Sequence, residues 1–407
     1  MTDDCITLIW LDLTYTVCSR DESVRTHLAL CKVDRYLITF RDTQKCLDYI
    51  AELTEEKVIL IITHETSVFS ADSILLQRNH NLQQIDSLYI IYSTETNSSD
   101  FMEMSSKIHR ISRAQLQPFC DQLSSTPSFQ QRRQRPRERF IRNDFTLTPL
   151  LSPPSPLPTD STTDYSVVSH SNNTVKQQEA DFMYGQLFRD ILIRQESTRE
   201  EMIEYCRQKY ANNQADLNMI DEFKDYYDKC NAIKWYTRDT FLYRLLNKAL
   251  RDQEVDTLYS IRYFMKDLHA QIVDKYGQQY LMAITFNNVG TSILTIKTVY
   301  RGQLMTNEEF DKKIRYNTGG FFLVSSFFST TIKKDLACIF AGDGSRSTES
   351  SVLFQIDIDH HVKEFDYADV TKESAFDDTE EEVLFSMGAV FRILSVHRVK
   401  ASFWNVH

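Results

Sequence analysis

Three groups in the last quarter of the chain could act on one substrate: Arg301, the step Ser329-Thr330-Thr331, and the acidic triplet Glu380-Glu381-Glu382. An arginine grips phosphate oxygens through paired, charge-assisted hydrogen bonds. A hydroxyl can fix a nearby carboxylate, and a carboxylate so held stabilises positive charge developing at an anomeric carbon. The combination suits cleavage of a glycosidic bond in a substrate that carries a diphosphate and reacts through an oxocarbenium-like transition state. Singly, Arg301 could be a surface cation, the Ser/Thr step an ordinary strand end, and the triplet a solvated loop. Their order, spacing and strand-like surroundings give the combination its weight.

The strings are TVYRGQ at Thr298–Gln303, SFFSTT at Ser326–Thr331, EEEVLF at Glu380–Phe385 and GAVFRI at Gly388–Ile393. In that order they resemble the arginine-specific mono-ADP-ribosyltransferases of the Arg-Ser-Glu type. The resemblance is close over residues 285 to 407 and looser over the helical stretch Ala232–Leu250. It implies NAD as substrate, no metal, and a protein arginine as acceptor. It also implies roles: Arg301, with Gly302 beside it, for the phosphates or ribose; Ser329, with Thr330, to hold the carboxylate and seat the nicotinamide ribose; and Glu382 as the catalytic glutamate. Glu380 would face the acceptor. Residues two apart in an extended segment share a side, so Glu380 and Glu382 would address one site and Glu381 would turn away. Because a guanidinium titrates above pH ~12, Glu380 would orient the acceptor arginine and take its proton late. The loop Tyr367–Thr379 would recognise the acceptor, with Phe376 as its exposed aromatic or, equally, as its apolar anchor. Thr331 stands where the family usually has serine, which keeps the hydroxyl and adds a methyl. Two other readings stay open: an NAD glycohydrolase, in which water replaces the acceptor, and a catalytically silent NAD-sensing or interaction module. The first motif carries arginine where polymerases of this fold use histidine, which disfavours a polymerase.

The elements that must position these residues read as α+β, a split β-sandwich with a helical lead-in. Ser292–Tyr300 alternates with period two and would deliver Arg301 at the end of a strand. Thr306 with Glu309 makes a capping box, Gly319-Gly320 ends that helix, and a strand begins near Phe321. Lys333–Phe340 reads as a short helix, Val352–Ile358 as a strand, and Val383–Val396 as two more. Upstream, Phe182, Tyr184, Leu187, Phe188, Ile191 and Leu192, then Phe241, Leu245, Leu246 and Leu250, fall near helical spacing and would pack a helical lobe.

The first 124 residues alternate apolar runs, at Ile6–Leu13, Tyr36–Phe40, Val58–Thr63 and Leu88–Tyr92, with amphipathic stretches such as Thr43–Leu53. That is the grammar of a doubly wound, receiver- or flavodoxin-like α/β domain, with a binding or regulatory role. Asp12 ends its first strand, but the third ends in His64-Glu65-Thr66, with no aspartate to accept a phosphoryl group. All nine glycines lie at or after Gly185, which excludes a glycine-rich phosphate loop there. Seven of the eight prolines lie between Pro127 and Pro158. The domains are therefore expected at 1–124, a disordered linker at 125–177, a helical lobe at 178–285 and a catalytic sandwich at 286–407.

A net charge of -11 argues against general nucleic-acid binding. The absence of a membrane-length apolar run or a basic, apolar leader makes a soluble cytoplasmic protein the default. The run Arg132, Arg133, Arg135, Arg137, Arg139, Arg142 leaves nuclear entry open, or it is a solvated tether. Eight scattered cysteines show no paired short spacing, so neither a zinc site nor a disulfide framework is indicated.

Overall fold

The computed structural model describes residues 6–14, 20–53, 56–64, 84–92, 107–134, 147–150, 183, 187, 189–238, 240–287, 298–345, 348–358, 365–376, 379–400 and 402–407. They form two compact units, Met1–Pro136 with Lys209–Asp228, and Arg137–Gln208 with Lys229–His407. Among the described residues no helix is long and apolar enough to cross a membrane.

The chain opens with β1 (Ile6–Asp12), α1 (Arg20–Val33), β2 (Ile38–Phe40), α2 (Thr43–Glu52), β3 (Lys57–His64), β4 (Ile85–Tyr92), β5 (Ile108–Ser112), α3 (Leu116–Ser124) and α4 (Pro127–Gln134). The five strands make one sheet in the order β2-β1-β3-β4-β5, every pair parallel. This is the strand order of doubly wound flavodoxin-like sheets. The near-continuous apolar runs of β1 and β3 are what strands covered on both faces require. Ile9, Leu11, Leu60 and Ile62 pack with Cys46 and Ile50 of α2. Asp42 caps α2 by accepting from the Lys45 amide.

The rest follows as α5 (Arg199–Lys209), α6 (Gln214–Tyr226), α7 (Ala232–Thr237), α8 (Phe241–Asp252), α9 (Val255–Ser260) and α10 (Arg262–Asn287), with β6 (Leu147–Leu150) before them. Then come β7 (Thr298–Thr306), α11 (Asn307–Lys313), β8 (Phe321–Val324), β9 (Phe328–Thr331), α12 (Lys334–Ala341), β10 (Glu349–Asp357), β11 (Tyr367–Asp369), β12 (Glu382–Phe385), β13 (Ala389–Arg392), β14 (Val396–Arg398) and β15 (Phe403–Val406). Seven strands pair in the order β11-β12-β9-β7-β10-β15-β14, and three in the order β13-β8-β6. Their shared core holds Val299, Phe322, Val324, Phe328, Phe354, Val383 and Phe385. Phe241, Leu245, Leu246 and Leu250 are buried on α8, whereas Leu187 and Ile191 are exposed and Leu192 of the same stripe is buried.

Two of the expected boundaries change. The segment 125–177 is not wholly unstructured: it supplies α4 and β6, and β6 pairs antiparallel with β8 from Leu147 opposite Val324 to Leu150 opposite Phe321. Composition hid this strand because its partner lies far along the chain, and its Pro149 lies on the edge strand of that sheet, where proline is tolerated. The arginines from 135 onward lie outside the described residues. The helical lobe also loses α6, which belongs to the first unit.

Within that first unit, α6 meets the carboxyl end of β1. The Tyr226 hydroxyl donates to Asp12 Oδ2 at 2.8 Å, and the Asp12 Oδ1 accepts from the Thr14 amide at 3.1 Å. The Tyr226 ring stacks on His27 at 4.8 Å, and His27 Nε2 and Glu222 Oε1 are 2.5 Å apart. Asp12 is thus buried and engaged by the protein itself. Cys31 joins His27 and Glu222 in a cluster whose ligand-type atoms lie within 4.8 Å of one another, a spacing the cysteine count alone missed. His27 and Glu222 are hydrogen-bonded to each other directly.

Burial alone would lower the His27 pKa, but Cys31 and Glu222 outweigh it and raise it from 6.5 to about 9. A group raised in the folded state stabilises it fully below the unfolded value and loses that contribution as pH climbs through the folded one. The thermal midpoint of the first unit should therefore fall between pH 6.5 and about 9, and Glu222→Gln should flatten that fall. An equal slope in wild type and variant, read by calorimetry, would remove the pair as its cause.

Candidate active site

The three motifs fall on three neighbouring strands of the seven-stranded sheet, β7, β9 and β12. β12 pairs with β9 over four positions, from Glu382 opposite Thr331 to Phe385 opposite Phe328. β7 runs along β10 for nine positions, but it meets β9 at a single one, Tyr300 opposite Thr331. Beyond that bridge β7 and β9 stop pairing, and the Arg301 side chain crosses the opening. Its Nη1 donates to the Ser329 carbonyl at 2.7 Å and its Nε to Gln303 Oε1 at 3.5 Å, with the guanidinium carbon 5.1 Å from the centre of the Phe328 ring. A carbonyl without a ladder partner thus accepts from a side chain.

On the other side of the same residue, the Ser329 hydroxyl donates to Glu382 Oε1. Arg301, Ser329 and Glu382 form a continuous chain of contacts, all three buried, at 4%, 7% and 1% exposure. Strand alternation refines the picture. Arg301 is opposite Phe354 and shares the face of the inter-sheet core, while Ser329 and Glu382 alternate with the core residues Phe328 and Val383 and project to the opposite face. Cation and carboxylate therefore meet through Ser329, by its carbonyl on one side and its hydroxyl on the other, and not by direct contact.

Arg301 lies inside β7, where the alternation of Ser292–Tyr300 had put it at a strand end; residues 292–297 lie outside the described residues. The Gly302 backbone is closed in by α12: a Cβ there would fall 1.7 Å from the Ala337 carbonyl oxygen and 2.5 Å from the Ala341 nitrogen. This glycine admits the helix onto the strand, so its observed task is packing. Thr330 Oγ1 donates to the Val383 carbonyl at 2.8 Å and also serves the sheet. The Thr331 hydroxyl donates to the Glu380 carbonyl and accepts from the Lys333 amide at 3.0 Å, so the residue that replaces serine keeps a full hydrogen-bonding role.

Glu380 and Glu382 do not lie two apart in one extended segment. β12 starts only at Glu382, and Glu381 has φ +44°, a left-handed conformation outside the extended range that two-residue alternation requires. Glu381 does point elsewhere, to Lys333 Nζ at 3.1 Å. Glu380 is buried at 5% exposure. Phe376 is buried too, at 5%, and is the anchor of its loop rather than an exposed aromatic. The turn folds back on itself: the Ser374 amide bonds to the Val370 carbonyl at 2.7 Å, the Phe376 amide to Ser374 Oγ at 3.2 Å, and the Ala375 amide to Thr237 Oγ1 on α7 at 2.8 Å. Sequence reasoning missed Ser374, Thr237 and Gln303. Only Gln303 had a signal, two residues beyond Arg301 on the same strand face; the other two are joined to the site by tertiary folding alone.

No protein-family model matches the chain, and no curated protein matches it. Among solved structures, the ADP-ribosyltransferase HopU1 of Pseudomonas syringae pv. Tomato DC3000 is similar at 19% identity, with a TM-score of 0.31, over 52% of this chain and 97% of its own. The ADP-ribosyltransferase Vis in complex with agmatine is similar at 17% identity, with a TM-score of 0.24, over 53% of this chain and 87% of its own. Scores of this size do not establish a shared fold, so the functional reading rests on the site.

Proposed function

We propose that the second unit cleaves NAD between nicotinamide and ribose and transfers the ADP-ribose to an arginine side chain of a protein. The observation that supports this most is the contact chain Arg301–Ser329–Glu382 at the point where β7 and β9 part. As the C–N bond breaks, the pyridinium takes the bonding pair and leaves as neutral nicotinamide, so its positive charge passes to the anomeric carbon, and an oriented carboxylate in a water-poor setting stabilises that charge far better than one in bulk water. Glu382 is that carboxylate, with its orientation set by Ser329. Arg301 holds the Ser329 carbonyl from the opposite face of the sheet and so braces the residue that orients Glu382. Glu380 orients the acceptor guanidinium and receives its proton after the bond has formed. No metal is required by any of these steps.

The test is incubation with labelled NAD, with and without an arginine-rich acceptor, followed by mass spectrometry of the modified side chain. Stable label on arginine supports transfer. Nicotinamide release that ignores the acceptor would make the protein a glycohydrolase, and no consumption at all would leave it a silent binding module. Glu380→Ala should suppress arginine modification by about 10²-fold while NAD hydrolysis falls much less. Equal loss of both would contradict the division of labour between the two glutamates.

A further inference from the structure

We infer that Ser374 is a positioning residue for Glu382, a role that rests on the transferase reading of this site. Ser374 Oγ donates to Glu382 Oε2 at 2.9 Å and accepts from the Phe376 amide at 3.2 Å. Glu382 thereby receives a hydroxyl on each carboxylate oxygen, Ser329 on Oε1 and Ser374 on Oε2. Two donors approaching from different segments define the plane of the carboxylate, whereas one leaves it free to rotate about its last bond. They also favour the ionised form of a carboxylate that has been removed from water. Each carboxylate oxygen can accept twice, so the Ser374 bond leaves acceptor capacity on Oε2 for a sugar hydroxyl.

The serine is itself fixed. It is 1% exposed, its amide is bound by the Val370 carbonyl, and the next amide, of Ala375, is tied to Thr237 of α7. The turn that precedes the acidic triplet thus braces the carboxylate from the side opposite β9, and α7 holds the turn in place. This gives a structural task to a stretch, Thr371–Phe376, that the motif reading treated only as an acceptor surface.

The experiment compares wild type with Ser374→Ala, Ser374→Cys and Ser374→Thr, all as full chains, in steady-state nicotinamide release from NAD across pH. Alanine and cysteine, both near serine in size and both without a strong donor, should lower kcat about tenfold with little change in KM, the pattern of an interaction that matters in the transition state. The acid limb of the rate profile should move to higher pH, since the ionised carboxylate has lost a donor. Threonine, which keeps the hydroxyl, should recover most of the rate. If alanine does not fold, the cysteine and threonine pair decides the matter. An unchanged kcat and acid limb in active, folded variants would overturn the inference. So would a lower KM at constant kcat, which would make Ser374 a latch that NAD displaces. An inert wild type would overturn the transferase reading instead, which separates the two failures.

Discussion

Glu382→Gln should reduce nicotinamide release from NAD by about 10²- to 10³-fold in kcat, the range seen when one preorganised electrostatic stabiliser is removed. Glutamine keeps the volume and one acceptor oxygen, so the hydroxyls of Ser329 and Ser374 retain a partner. What disappears is the negative charge beside the forming oxocarbenium ion. Because the ground state carries its positive charge on the nicotinamide ring, the larger loss should fall on kcat and the smaller on KM. Glu382→Ala should lose as much or more turnover, and in addition some stability, since two buried hydroxyls would be left without their carboxylate at about 1–3 kcal/mol each. Radiolabelled nicotinamide release and a thermal melt on the same preparations separate the effects. A glutamine variant that turns over within a few-fold of wild type would mean that the charge is not used.

Arg301→Lys should be nearly as damaging, although it conserves charge. The guanidinium reaches the Ser329 carbonyl and Gln303 from one planar group, and it lies over the Phe328 ring. A lysine ammonium is a point charge on a flexible stem and cannot reproduce a fork that bridges two fixed acceptors. The Ser329 carbonyl sits where β7 and β9 no longer pair, so losing its donor leaves a buried backbone acceptor exposed to that cost, about 1–3 kcal/mol. The displacement passes directly to the Ser329 hydroxyl and from there to Glu382. We expect kcat/KM for NAD to fall about 10²-fold and the thermal midpoint to drop. A lysine variant of normal stability but raised KM would assign Arg301 to substrate binding alone. Loss of both stability and kcat would show that it also positions the carboxylate.

The three chemical groups were legible in the chain because each motif is local: a few consecutive residues set which side chain stands next to which backbone position. Period-two alternation likewise marked most strands, and Thr306 accepts from the Glu309 amide at 3.2 Å as its capping signal implied. Local pattern went wrong where backbone conformation departs from the regular. A single left-handed residue, Glu381, broke the shared-face argument for the glutamates, and a side chain's burial, as with Phe376, depends on what folds over it.

The residue types that could do the chemistry, and their order along the chain, were determined by sequence alone. Their meeting point was decided only by the tertiary structure. β7 and β9 pair at one position and then part, and this lets Arg301 reach the Ser329 carbonyl while the serine hydroxyl turns to Glu382. Ser374 and Thr237 entered the site, β6 joined the second sheet, and α6 went to the first unit in the same way. Except for Ser374, which is eight residues from Glu382, each of these contacts closes a long loop, and no short-range preference encodes it. The physical reason is that a contact between distant segments is paid for by burial and hydrogen bonding summed over the whole fold, not by the residues that happen to touch.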